Sequence, residues 1–169
     1  MNFYKSCLLV AAAAFTFTHA SAQTSSTSPN YTAAEETGTI LKQQIRWTSK
    51  VPLNKTYGEL NPEQIKALHS MYEGLPTGDE PPFPLEGIKP IFSSIKNAQR
   101  ALQARGSIDM KVTVGPDGLP VKVDDVSTTR SPQMLDLAQR VLMATKYKPA
   151  MCSGQPCTMQ FRFTQKLKS

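Results

Sequence analysis

The sequence predicts an α+β fold in which a three-stranded antiparallel sheet carries helices on one face. Apolar residues recur at helical spacing in three segments, and after residue 106 they alternate with polar residues in three others. Near the C-terminus these segments follow one another as helix, then β-β-α-β, which a small sheet covered by helices accommodates. An extra helix and a proline-rich strap precede this part.

The extra helix is expected near residues 62–73. Asn61 can cap its start, Pro62 suits its first turn, and Gln64 is placed to return the capping hydrogen bond. Gly74 is a typical residue just past a helix end. The apolar stripe of this helix consists of Ile65, Leu68 and Tyr72.

The strap covers residues 76–84, which contain four prolines. Proline-rich chain is extended, so the strap should pack along the domain between its two flanking helices, and recognition of a proline-binding partner is the alternative. The second helix is expected over residues 90–104, closed by Gly106. One helical face carries its apolar residues, Ile91, Ile95, Ala98 and Leu102.

Residues 106–114 alternate between apolar and polar side chains, which indicates a strand with one buried face. Residues 115–118 then form a turn, because Pro116 presets its first corner and Gly118 tolerates a positive φ. The alternation resumes in a second strand, so the two strands should form an antiparallel hairpin. The apolar residues of this second strand are Leu119, Val121 and Val123.

A third helix is expected to start with Ser131 as its cap and Pro132 in its first turn. A last strand follows, in which Met159, Phe161 and Phe163 alternate with polar residues. The strong apolar face of the third helix consists of Met134, Leu135, Ala138, Val141 and Leu142.

The N-terminus has the features of a signal peptide over residues 1–22. Lys5 precedes an apolar run over residues 7–17, and the small residues Ala20 and Ala22 suit cleavage after Ala22. An uncleaved anchor is the alternative, but this run has about half of the roughly 20 residues that span a bilayer. We therefore expect a periplasmic protein with no membrane span after cleavage.

Three further regions complete the expected organisation of the chain. Residues 23–38 are rich in Ser and Thr and should form a flexible tail. Residues 39–89 form an N-terminal extension that contains the first helix and the strap, and residues 90–169 form the C-terminal domain.

After cleavage the chain retains two cysteines, Cys152 and Cys157. An even number of cysteines at close spacing in an exported protein predicts a disulfide. A redox or metal pair is the alternative, but the spacing is not that of thiol oxidoreductases and no histidine cluster lies nearby.

Charge is distributed unevenly, with a net charge of −2 over residues 23–89 and +7 over residues 90–169. This difference can serve solubility alone, or it can attract an anionic partner such as a cell-wall polymer. Nucleic acid is not expected as a partner of an exported protein. The candidate basic residues are Lys111, Lys122, Arg140, Lys146, Lys148, Arg162, Lys166 and Lys168.

Little in the sequence favours catalysis, a metal or a cofactor, and we expect none of them. His69 is the one histidine after residue 22, and its place beside an apolar stripe indicates a partly buried residue rather than a base. Asp124 and Asp125 form the only close carboxylate pair outside the acidic connectors. Adjacent strand residues point to opposite faces, so this pair cannot share a cleft.

Residues 90–167 resemble the C-terminal domain of TonB, the periplasmic end of the energy transducer for outer-membrane transport. Each matching segment is short, and their order makes the set specific. The segments are residues 106–114, Pro116-Asp117-Gly118, Leu135-Asp136-Leu137-Ala138, Tyr147 with Pro149-Ala150, Gly154-Gln155-Pro156 and Phe161-Arg162-Phe163.

The resemblance implies a non-catalytic module that binds a protein segment by β-strand addition to its last strand. An outer-membrane receptor or a secretion component is the implied partner. Three departures from the TonB pattern are the cleavable N-terminus, the short tail in place of a long spacer, and the added cysteine pair. The implied binding residues are Thr158, Met159, Gln160, Phe161, Arg162 and Phe163.

Overall fold

The computed structural model describes residues 40–41 and 50–168, and the fold of these residues is α+β, as predicted. The expected signal peptide (1–22) and tail (23–38) lie outside the described residues. The elements in chain order are β1 (Ile40–Leu41), a 3-10 turn (Tyr57–Glu59), α1 (Pro62–His69), β2 (Tyr72–Glu73), β3 (Phe83–Pro84), α2 (Lys89–Leu102), β4 (Gly106–Val114), β5 (Pro120–Asp125), α3 (Pro132–Ala144), β6 (Tyr147–Lys148), β7 (Ala150–Cys152), β8 (Gln155–Cys157) and β9 (Met159–Leu167).

The main sheet has three antiparallel strands in the order β5-β4-β9. Met110, in the central strand, lies opposite Asp125 on one side and Phe163 on the other. Alternate residues of β4 are buried, which confirms the predicted one-faced strand. The core face of the two longer strands consists of Ile108, Met110, Val112, Val114, Met159, Phe161, Phe163 and Leu167.

Helices α2 and α3 contact each other and pack on the same sheet, α3 against β4 and β5 and α2 against β9. Ser131 caps α3 by accepting a hydrogen bond from the Met134 N–H at 3.3 Å. The apolar stripe of α2 is buried up to Ala98, whereas Leu102 stays 40% exposed. The helix ends at Leu102, because Gln103 adopts the left-handed conformation with φ of +51°.

Helix α1 begins as predicted and ends earlier than predicted. The Gln64 N–H donates to Oδ1 of Asn61 at 2.9 Å, and the Asn61 N–H donates to Oε1 of Gln64 at 3.0 Å. The last helical residue is His69, since Tyr72 and Glu73 pair with β1 instead of extending the helix. Tertiary strand pairing thus overrides the helical spacing of Tyr72.

The strap packs along the domain as an interrupted strand. Phe83 lies opposite Lys148 in the β3–β6 pair. Further along, Glu80 and Met151 exchange two backbone hydrogen bonds, of 2.9 and 2.8 Å. The strap therefore pairs with the segment between α3 and β9, and Phe83 joins the core under the sheet.

The predicted disulfide joins Cys152 to Cys157 across the β7–β8 hairpin, with 5.8 Å between their Cα atoms. At the tip of the hairpin, the Ser153 N–H donates to Oδ1 of Asp79 at 2.8 Å. The hairpin is thereby fixed to itself by the disulfide and to the strap by this hydrogen bond. Of the helices in residues 50–168, none combines the length and apolar character that crossing a membrane requires.

Candidate functional site

The outer strand β9 contains five of the six residues that the sequence suggested for partner binding, and the sixth, Thr158, precedes it. On the other side of β4, the Asp109 carbonyl accepts a hydrogen bond from the Val126 N–H at 2.9 Å. Backbone groups of successive strand residues point to opposite sides of the strand. The backbone N–H and C=O groups of Asp109 therefore point toward β5 and its continuation. The backbone groups of its neighbours Ile108 and Met110 point toward β9.

The β4–β9 register then determines which backbone groups of β9 point outward. Met110 lies opposite Phe163, and the register continues without a break from Gly106 to Val114. Odd-numbered β9 residues thus pair with β4, and even-numbered residues direct their N–H and C=O groups to the outer side. Gln160 and Lys166 are two residues with this outward orientation.

The two outer strands of the described sheet differ in how well they could accept another strand. β5 has six residues, starts at Pro120, and carries a register shift opposite Thr113 and Val114. Proline and bulges are devices by which proteins protect outer strands from pairing. β9 has nine residues, no proline and a continuous register. It has the length and regularity that strand addition needs.

The apolar side chains of the suggested segment face the core, in agreement with their alternation with polar residues in the sequence. The rings of Phe163 and Phe92 of α2 pack in a tilted arrangement with 4.9 Å between their centroids, and the centroids of Phe161 and Tyr147 lie 5.4 Å apart. These contacts fix the position of β9 against α2 and against the segment that follows α3. Side chains project above and below the sheet, so these contacts do not involve the backbone N–H and C=O groups of β9, which lie in the plane of the sheet.

Arg162 alternates with the core-facing Phe161 and Phe163, yet its own side chain is only 7% exposed. Its Nε donates to Oδ1 of Asp109 at 2.7 Å and its second guanidinium nitrogen to Oδ2 at 2.5 Å. A paired, buried arginine holds β9 to β4, and its removal would leave the Asp109 carboxylate without this partner. Gln160 is half-buried, so it is a better position than Arg162 for a substitution that tests the outer side of β9.

Three more of the suggested basic residues form ion pairs with acidic residues. The contacts are Lys122 Nζ to Asp124 at 2.9 Å, Arg140 to Asp136 at 2.7 Å, and Lys148 Nζ to Glu80 at 2.8 Å. The uneven charge along the chain is therefore partly balanced locally.

The sequence interpretation missed a half-buried polar cluster formed by Tyr57, His69, Glu80 and Lys148. The Tyr57 hydroxyl lies 3.3 Å from Nε2 of His69, and Lys148 Nζ lies 4.4 Å from the centre of the Tyr57 ring. Burial, and then Glu80, raise the pKa of Tyr57 to about 12. Burial also lowers the pKa of His69. The cluster links the extension to β6, and no sequence spacing signals it.

The carboxylates of Asp124 and Asp125 have structural partners. Asp124 pairs with Lys122, whereas Oδ1 of Asp125 accepts the Ser127 N–H at 2.9 Å. In the described ranges, no group of three or more His, Cys, Asp or Glu side chains is arranged to hold a metal ion.

Comparisons with protein-family models, with curated proteins and with solved structures found no significant match to this chain.

Proposed function

We propose that this chain is an exported, non-catalytic, TonB-like interaction module. In this proposal it acts in the periplasm, after cleavage following Ala22. An extended segment of a protein partner adds as a strand to the outer side of β9. The partner class is an outer-membrane receptor or a secretion component, which links the chain to outer-membrane transport.

The observation that carries the proposal is the contrast between the two outer strands. β9 is long, regular and free of proline, while β5 is shorter, bulged and begins at Pro120. Strand addition draws its affinity mainly from backbone hydrogen bonds, so it needs such a regular outer strand. The ordered motifs of residues 90–167 that resemble the TonB C-terminal domain support the same strand.

Two further features support the location and the class. The Cys152–Cys157 disulfide suits an oxidising compartment. The described extension pairs with the chain around Tyr147 and Met151 rather than with β9. The candidate carboxylate pair is occupied by structural contacts, which supports a module that binds rather than a hydrolase.

The test uses a panel of peptides from the N-terminal segments of outer-membrane receptors encoded in the same genome. Binding is measured by fluorescence anisotropy for the wild-type protein, Gln160→Pro and Gln160→Ala. Proline removes the outward N–H of residue 160, which an added strand would use, and should therefore weaken binding at least tenfold. The β4–β9 pairing should persist, because it does not use this N–H. Alanine keeps the N–H and should bind within about twofold of wild type.

Circular dichroism and the unfolding midpoint control for the fold of both variants. Equal peptide affinity of all three proteins would contradict binding at β9. Loss of binding with alanine as large as that with proline would show that the glutamine side chain, not the backbone, is the determinant. Binding that disappears at high salt would favour the cell-wall alternative over strand addition.

A further inference from the structure

A second surface feature is a groove of about 330 Å³ at the C-terminal end of α2. Four cationic side chains line it, together with the amide side chains of Gln99 and Gln103. The cations come from three parts of the chain: the last turns of α2, the turn after it, and the residue that follows β9. They are Lys96, Arg100, Arg105 and Lys168.

The backbone of this groove is held in place by specific contacts. Gln103 reverses the chain with its φ of +51°, and its side-chain amide donates to the Arg100 carbonyl at 2.8 Å. The Gln99 amide donates to the Lys168 carbonyl and so ties the end of β9 to α2. Ala104 is buried, which anchors the turn that presents Arg105.

The four cations of the groove lie together without an acidic residue among the residues that line it. None of its four cations forms an ion pair with any residue in the described part of the chain, whereas Lys122, Arg140 and Lys148 each have an acidic partner. The sequence explains the difference, because it has no Asp or Glu between Glu86 and Asp109 and none after Asp136. Both walls of the groove come from these acid-free stretches.

Stabilisation of the helix end is the simplest alternative role for these cations. The C-terminal end of a helix carries about half a negative elementary charge, and a cation there contributes about 0.3–1 kcal/mol. A single side chain such as Arg100 would satisfy that charge. Four cations exceed the need several-fold, so helix stabilisation leaves most of the positive charge unexplained.

We propose that this groove binds a multivalent phosphate group, such as the diphosphate of a phosphorylated ligand. Arginine offers planar, bidentate hydrogen bonding that matches phosphate oxygens, and two arginines contribute to this groove. A phosphate carries up to about two negative charges, so a diphosphate balances four cations better than a single carboxylate does. The site shares no residue with residues 158–163, and its nearest part to them is Lys168, directly after the end of β9.

The test is isothermal titration calorimetry with inorganic pyrophosphate at low ionic strength. The wild-type protein should bind pyrophosphate, and the double variant Arg100→Gln/Arg105→Gln should bind it at least tenfold more weakly. A charge-matched control, Lys89→Gln/Arg140→Gln, removes two cations outside the groove and should stay within about twofold of wild type. Unfolding midpoints confirm that both variants fold.

Three results would overturn the proposal. The first is no detectable binding of pyrophosphate to the wild-type protein. The second is equal weakening in the groove variant and its control, which would mean diffuse charge rather than a site. The third is binding of tetraglutamate as tightly as pyrophosphate, which would assign the groove to carboxylates. The single variant Arg100→Gln, with an intermediate loss expected, provides an independent measurement.

Discussion

Gly118 joins the β4–β5 hairpin turn to the segment that leaves α3. Its φ is +77°, and its carbonyl accepts the Tyr147 N–H at 3.0 Å. A Cβ atom at this position would overlap the Tyr147 carbonyl oxygen. The sequence predicted the positive φ from the turn pattern. The close approach of Tyr147 was not predictable, because it depends on how distant segments pack.

Replacement of Gly118 by alanine should therefore lower the free energy of unfolding by at least about 2 kcal/mol, from backbone strain and overlap together. Gly154 provides a matched control. Its φ is +81°, but a Cβ atom there would meet nothing within 4 Å. Gly154→Ala should cost less than Gly118→Ala in urea unfolding. Equal losses would mean that strain alone, and not the contact with Tyr147, explains the glycine.

His69 should make the stability of the protein depend on pH. Burial lowers its pKa below the ordinary value of 6.5, Glu80 opposes this shift and Lys148 reinforces it. Tyr57 is the remaining titratable group in contact with the ring. The folded state binds the proton of His69 more weakly than the unfolded state does. The stabilisation that neutral His69 provides is therefore fully present above pH 6.5 and is lost as the pH falls toward the folded pKa.

Urea unfolding from pH 8 to pH 5 measures this dependence, and His69→Gln is the control that removes the titration. The wild-type protein should lose more stability than the variant as the pH falls through about 6.5, the ordinary histidine pKa. Parallel curves for the two proteins would contradict the lowered pKa.

The longer elements were predictable because their signals are local. The capping box of α1, the stripe of α2 and the alternation in β4 each depend on residues within a few positions of one another. The two-residue pairs β1–β2 and β3–β6 were not predictable, since their partners lie far apart in sequence. For the same reason, the sequence did not predict that α1 ends at His69, or that Tyr72 and Glu73 form β2 instead of a last helical turn.

The second strand of the hairpin shows the same limit. The sequence predicted regular alternation through Leu119, Val121 and Val123. In the structure the register shifts at the start of β5, and Val121 is 54% exposed. The shift follows the tight turn at Gly118, which is fixed by its contact with Tyr147.

The disulfide is expected to stabilise the β7–β8 hairpin. Replacement of Cys152 and Cys157 by serine should lower the free energy of unfolding by about 2 kcal/mol, because the disulfide closes a short loop in the unfolded chain. The fold should persist, since the hairpin also bonds to Asp79 and Glu80. Thermal unfolding with circular dichroism measures both. Unchanged stability, or free thiols in the oxidised wild-type protein, would contradict the assignment.

The extension and the C-terminal domain share one hydrophobic core. In it, Leu68 and Phe83 of the extension join Phe161 of β9 and Leu142 of α3. The motifs that resemble the TonB C-terminal domain suggested β9 as a candidate binding strand. The sequence could not indicate the pairing of Arg162 with Asp109, or the groove beside Lys168, because both require residues distant in sequence. The candidate site was thus predictable as a segment and not as a set of side chains.

The most direct test of strand addition is amide hydrogen exchange, measured by NMR with and without a receptor peptide that binds. If the peptide adds to the outer side of β9, we expect it to increase protection at the outward amides of Gln160 and Lys166. We expect little change at Phe161 and Phe163, whose amides already pair with β4. Protection that appears instead in the strap at residues 76–84, or in β5, with no change at Gln160 and Lys166, would contradict binding at β9.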